Sequence, residues 1–147
     1  MNPPLAPHAL VIAQIVLMTT LVCAGYRQVL ATPFLMLLAG AGIMLMVTSI
    51  LAMKIQNLRV SPVPGEKHEL CTQGPYRWIR HPMYTAGLLF CGAFTIGVNT
   101  LGTTGLWALL IIVLYAKAKL EEKLWLGHSV SYAPYMEGTK RFVPFLF

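Results

Sequence analysis

Three stretches of this 147-residue chain carry no charged side chain over a length that matches or exceeds a membrane crossing, and they restrict the folds open to it. From Pro33 to Met53 run about 21 uncharged residues, which as a helix at ~1.5 Å per residue cover a ~30 Å hydrocarbon core. Lys54 and Arg59 close that span on one side. The stretch from Met1 to Tyr26 lacks the Lys or Arg that would precede the apolar core of a cleaved signal peptide. Val22 stands where a lipoprotein cleavage site before Cys23 would need a small residue, so Pro7 to Tyr26 reads as a retained first transmembrane helix. Pro82 to Ala116, about 35 residues, is too long for one crossing and short for two. The polar, glycine-containing segment from Asn99 to Gly105 in its middle predicts a helical hairpin with spans near Met83–Val98 and Thr103–Leu120. The second of these borrows length if Lys117 and Lys119 snorkel to the interface.

Composition agrees, with 56% apolar and only 11% charged residues, where a soluble domain has about a quarter charged. The expected fold is a single all-α integral membrane bundle over residues 1–147, with about four transmembrane helices near 7–26, 33–53, 83–98 and 103–120.

The net charge of +6 invites a nucleic-acid reading, but the basic residues flank apolar spans instead of clustering on a soluble face. Lys54, Arg59, Lys67, Arg77 and Arg80 lie between spans two and three; Lys117, Lys119, Lys123, Lys140 and Arg141 lie at or beyond the end of span four. The opposite side has Arg27 alone. By the positive-inside rule the central loop, the C-terminal tail and both termini are cytoplasmic, so residues from 54–81 and 117–147 can form one site on that face. No partner among nucleic acids is expected. Asp is absent, and Cys23, Cys71 and Cys91 are too scattered for a disulfide framework or structural zinc. His68 and Cys71 have an HxxC spacing without a completing ligand set, so no metal is expected.

The central loop closes on a polar and aromatic block, Gly74-Pro75-Tyr76-Arg77-Trp78-Ile79-Arg80-His81-Pro82-Met83-Tyr84. Pro82 suits the first turn of a helix, which places Arg80 and His81 at a helix mouth whose unpaired N–H groups favour an anionic group. An interfacial anchor of Arg, Trp and Tyr accounts for the block equally well. Glu121 and Glu122, at the expected end of span four, oppose the helix dipole, which points to a role with a cationic ligand; neutralisation by Lys117 and Lys123 is the plainer account. A helix mouth would lower the His81 pKa and leave it neutral at pH 7. The aromatic and basic tail from Tyr132 to Phe147 reads as a segment folded onto the membrane surface, either as an anchor or as a lid. Gly40 and Gly42 in span two suit close helix packing.

Together these blocks resemble the isoprenylcysteine carboxyl methyltransferase and phospholipid methyltransferase superfamily of membrane enzymes. The matching residues are His68-Glu69-Leu70-Cys71-Thr72-Gln73-Gly74-Pro75-Tyr76, then Arg80-His81-Pro82-Met83-Tyr84, then Glu121-Glu122, and finally Gly127, Tyr132, Tyr135 and Arg141-Phe142-Val143-Pro144. The resemblance implies an S-adenosylmethionine-dependent methyltransferase acting on a lipophilic, membrane-embedded acceptor, a prenylcysteine-like carboxylate or a lipid head group. On the matching positions it implies that His68, Leu70, Cys71, Tyr76, His81, Pro82, Tyr84, Glu121 and Glu122 form the cofactor pocket, that Arg80 and His81 serve the reaction, and that Lys117 and Arg141 face the acceptor. Gly40 and Gly42 correspond to a GxG element of the phospholipid methyltransferases. Lys117 stands where the isoprenylcysteine enzymes use an Arg toward the substrate carboxylate, which weakens the case for a prenylcysteine acceptor. NADPH-dependent membrane enone and sterol reductases share the RHPxY-type block, but are longer; the compact chain and the Glu-Glu pair favour methyl transfer. A small membrane subunit without activity is the third alternative, disfavoured by retention of every polar block.

Overall fold

The structure is a computed structural model, described for residues 5–53 and 70–144 and for side chains from His8 onward. Lys54, Arg59, Lys67 and His68 lie outside the described residues. The described residues form five α-helices: α1 (Leu5–Ala31), α2 (Pro33–Met53), α3 (Pro82–Val98), α4 (Leu101–His128) and α5 (Tyr132–Gly138). Among the described residues the one β-type contact is an isolated bridge between Ile79 and Lys140. The expected all-α membrane bundle is the architecture found.

Three helices, α1, α2 and α4, are long and apolar enough to cross a membrane. α3 has 17 residues, ~25 Å of helix, and falls short of that length. It occupies the centre, packed against α1, α2 and α4, while α1 also packs on α4. A short helix is tolerable there because its neighbours shield it from lipid. On one side of α3, Leu17 and Leu21 of α1 meet Cys91 and the α4 residues Leu110, Val113 and Leu114. On the other, Val29 of α1 and Leu35 and Ala39 of α2 enclose Ala93 and Phe94. The outward faces carry Ile12, Leu37, Met44, Leu51 and Ile112, all exposed, as a lipid-facing surface requires.

Small residues set how closely the backbones approach. A Cβ on Gly42 would lie 2.8 Å from the Phe90 nitrogen, and one on Gly25 would lie 2.6 Å from the Phe94 carbonyl oxygen. Gly42 is thus the packing residue of its pair. Gly40 has nothing within 4 Å of an added Cβ and faces away.

Three element ends differ from expectation. The α3–α4 turn is only Asn99 and Thr100: Asn99 adopts a left-handed conformation (φ 49°) and caps α3, and Thr100 starts α4 in a reciprocal capping box with Thr103. Gly102 and Gly105, expected in the turn, are therefore helical. The indole N–H of Trp107 donates to the Leu88 carbonyl at 3.0 Å and locks the hairpin. At its far end α4 does not stop near Leu120 but runs to His128. The residues after Leu120 are good helix formers, and burial of Glu122 against tail and loop partners removes the reason to end the helix at the charges. α1 likewise extends past Tyr26 through Arg27, which donates from Nε to the Tyr26 hydroxyl at 3.0 Å.

Candidate functional site

Three segments distant in sequence meet at one end of the bundle: the loop before α3, the last turns of α4, and the tail. Gly74 begins the local structure with a left-handed backbone (φ +57°), and a Cβ there would also press on the Ala52 side chain at 2.9 Å. Pro75 then opens a 3-10 turn over Gly74–Arg77 that buries Tyr76. The Tyr76 hydroxyl reaches the Met53 sulfur at 3.9 Å and the Cys71 thiol donates to the Ala52 carbonyl at 3.3 Å, fastening the loop to the end of α2. Leu70 and Cys71 are half-buried beside it. Tyr135 of α5 donates its hydroxyl to the Tyr76 carbonyl at 2.7 Å. Burial, and then the neighbouring Cys71, raises the Tyr76 hydroxyl above the ordinary phenol value, so it remains a neutral donor.

Beyond the turn, the backbone of 78–81 runs alongside the tail. Lys140 N–H donates to the Trp78 carbonyl (3.1 Å), Arg80 N–H to the Lys140 carbonyl (2.7 Å) and His81 N–H to the Arg141 carbonyl (3.1 Å). Thr85 Oγ1 donates to the Phe142 carbonyl at 2.8 Å. The N–H groups of Arg80 and His81 are thus spent on the tail's carbonyls, and the segment that leads into α3 is held by the tail.

Glu122 is the charge centre. It is 4% exposed, and its Oε1 accepts from Arg80 Nε and Arg141 Nε, each at 3.0 Å, while Oε2 accepts from Arg141 Nη2 at 2.6 Å. Arg80 Nη1 also donates to the Met136 carbonyl at 3.0 Å and to the Thr139 carbonyl, satisfying the C-terminal end of α5. Arg141 lies over the Tyr115 ring, 5.0 Å from its centroid. Two guanidinium groups on one buried carboxylate overturn the account of the acidic pair as a net cost to the helix.

Glu121 has a different setting. It accepts a hydrogen bond from the Tyr84 hydroxyl and faces His81 Nδ1 at 3.4 Å, with its side chain more exposed than that of Glu122. His81 Nε2 in turn lies 3.3 Å from Glu122 Oε1, so the imidazole bridges both acids, and its ring stacks on Tyr84 at 5.3 Å. Burial by itself depresses the His81 pKa, but the bonds and charges of Glu121 and Glu122 outweigh it, and the net shift is upward. The expected downward shift of His81 is therefore corrected in direction: a weak dipole effect loses to two carboxylates in contact.

Lys117, one turn before Glu121, is buried and does not snorkel, in contrast to the exposed Lys119. Its ammonium donates to Gln14 Oε1 at 2.9 Å and sits 5.0 Å from the Tyr84 ring centre. Gln14 went unread in the sequence although it is the one amide between His8 and Tyr26. Of the expected site residues, Arg80, His81, Tyr84, Glu121, Glu122 and Arg141 form one contact network, Lys117 joins it through Tyr84, and Pro82 starts the helix beneath it. Cys71 and Tyr76 are fastened to α2, linked to the network through α5, and Leu70 is half-buried next to Cys71 in sequence. The described residues hold no group of three or more potential metal ligands.

No curated protein and no solved structure matches the chain. The family model described as phospholipid methyltransferase matches residues 30–129, from the end of α1 to the end of α4. That range contains the loop block, the buried central helix and the paired acids that the fold assembles at one end of a membrane bundle, and the chain belongs to the phospholipid methyltransferase family.

Proposed function

We propose that the protein transfers a methyl group from S-adenosylmethionine to a lipophilic acceptor held in the bilayer, at the cytoplasmic face. The observation that carries this reading is the division of labour in the acidic pair. Glu122 is saturated by Arg80 and Arg141, whereas Glu121, held by Tyr84 and His81, keeps a partly exposed carboxylate in a setting of low polarity. Such a carboxylate suits the cationic and hydroxyl-bearing parts of the cofactor. Leu70 and Cys71, half-buried, offer apolar surface for an adenine, with Tyr76 and Pro82 packed behind it, and His68, Tyr84 and His81 belong to the same proposed pocket.

S-adenosylmethionine supplies a methyl group already activated on a sulfonium. The protein has then to align an acceptor lone pair with that methyl carbon and exclude water, and needs no covalent intermediate or metal. Arg80 and Arg141 act by fixing Glu122, and through it the imidazole of His81, which holds Glu121 in place. Lys117, Arg141 and the Tyr115 ring lie toward the acceptor side. The cytoplasmic orientation rests on the ten basic residues flanking this end against Arg27 at the other.

Calorimetry of the purified protein in detergent tests the reading. S-adenosylhomocysteine should bind and NADPH should not, and Glu121→Gln should lose the binding while retaining its melting temperature. Binding of NADPH in place of S-adenosylhomocysteine would identify a reductase, and binding of neither would identify an inactive subunit.

A further inference from the structure

Of the buried ionisable side chains at the site end, His81 and Glu122 have oppositely charged or ionisable partners within ion-pair distance and Lys117 does not. Its residue exposure is 5%, and among the described residues no carboxylate lies within ion-pair distance of its ammonium. An ammonium has three N–H donors. One goes to Gln14 Oε1 at 2.9 Å, and the charge rests against the face of Tyr84. Gln14 is itself oriented, because its Nε2 donates to the Met18 sulfur at 3.8 Å and so turns the carboxamide oxygen toward α4. Tyr84 donates its hydroxyl to Glu121, which enriches the ring that Lys117 faces. These partners are neutral, and they leave two donors without a partner among the described residues. Glu121, one turn on, acts on the ammonium only through space, beyond ion-pair distance. A buried ammonium whose contacts are neutral is costly at the edge of a bilayer, and an anionic group brought by a ligand lowers the cost.

The geometry points to Gln14 as a positioning residue for the acceptor, holding Lys117 so that its remaining N–H groups meet an anionic group, phosphate or carboxylate, on a membrane-embedded lipid. The inference rests on the methyl-transfer reading and adds to it a selectivity element from α1 that lies outside the matched residues 30–129. The amide is the apt side chain for this work. A carboxylate at position 14 would neutralise Lys117 from within and repel an anionic acceptor; an aliphatic side chain would leave the ammonium free to move.

The test uses the full chain in nanodiscs, methyl-labelled S-adenosylmethionine and three acceptors: phosphatidylethanolamine, an N-acylated prenylcysteine, and sphingosine, which carries neither anion. Gln14→Glu should raise KM at least tenfold for the acceptor whose anion Lys117 meets, leave its kcat within twofold, and leave sphingosine kinetics unchanged. The first or second acceptor responding identifies phosphate or carboxylate. Gln14→Leu should raise the same KM several-fold, and Gln14→Asn should restore part of the loss. Gln14→Glu gives Lys117 a counter-ion and should melt no lower than wild type, which separates the effect from misfolding. Equal KM changes for all three acceptors, or none, would overturn the role of Gln14. If the wild type methylates no acceptor, the methyl-transfer reading fails on its own, and native mass spectrometry with phosphatidylglycerol and the prenylcysteine then decides about Gln14: retention lost in Gln14→Glu upholds it, and equal retention removes it.

Discussion

Adjacent in sequence and alike in chemistry, Glu121 and Glu122 differ in what surrounds them. Glu122→Gln leaves Arg80 and Arg141 without their carboxylate, and breaking a buried ion pair from one side costs about 3 kcal/mol. Its melting temperature in detergent should fall clearly below wild type, while that of Glu121→Gln should hold and its cofactor affinity drop at least tenfold. The same contacts govern the response to pH. Because the folded pKa of His81 is raised, its bonds to Glu121 and Glu122 contribute stability that is complete below the ordinary histidine value and is lost as pH rises through the higher folded value. Thermal melts should therefore show stability declining as pH is raised above the ordinary histidine value, with a shallower decline in His81→Gln. A flat wild-type profile would mean that folding leaves the His81 pKa unshifted. The types of these residues were readable in the sequence, but their pairing was not, since Arg80, Glu122 and Arg141 are brought together only by folding.

α3 is the element on which the others close, and its neighbours meet it through glycines. Gly42→Leu should lower the melting temperature severely or abolish folded yield, because its Cβ would strike the Phe90 backbone. Gly40→Leu should be close to neutral, having open space before it, and the two melts measured side by side check this. The helices themselves were largely legible: charge-free length marks α1 and α2, Pro82 marks the start of α3, and Asn99 marks its end. What pattern reading could not supply was the length of α4, since charges normally signal a return to water, and here Lys117 and Glu122 are inside. The two-residue turn was missed for a related reason: glycines at 102 and 105 suggest a loop, whereas the Thr100–Thr103 capping box starts the helix before them.

For the whole molecule, the arrangement of basic residues predicts that a reporter fused after Phe147 is active in its cytoplasmic form and silent in its periplasmic form. The opposite result would place the acidic pair and the tail on the wrong side for a cytoplasmic cofactor. The sequence by itself determined that the chain is an all-α membrane bundle, because long uncharged runs have no other stable home than lipid and a helix is how one segment satisfies its own backbone there. It also marked the residue types of the site and the superfamily they resemble. Only the tertiary structure decided which of those residues act together. The tail lies beside the 78–81 backbone, Glu122 gathers one arginine from the loop and one from the tail, and Lys117 is left with Gln14. Burial removes water as a partner for every charge, so each must find one inside the protein, and which one it finds depends on distances that no linear pattern encodes.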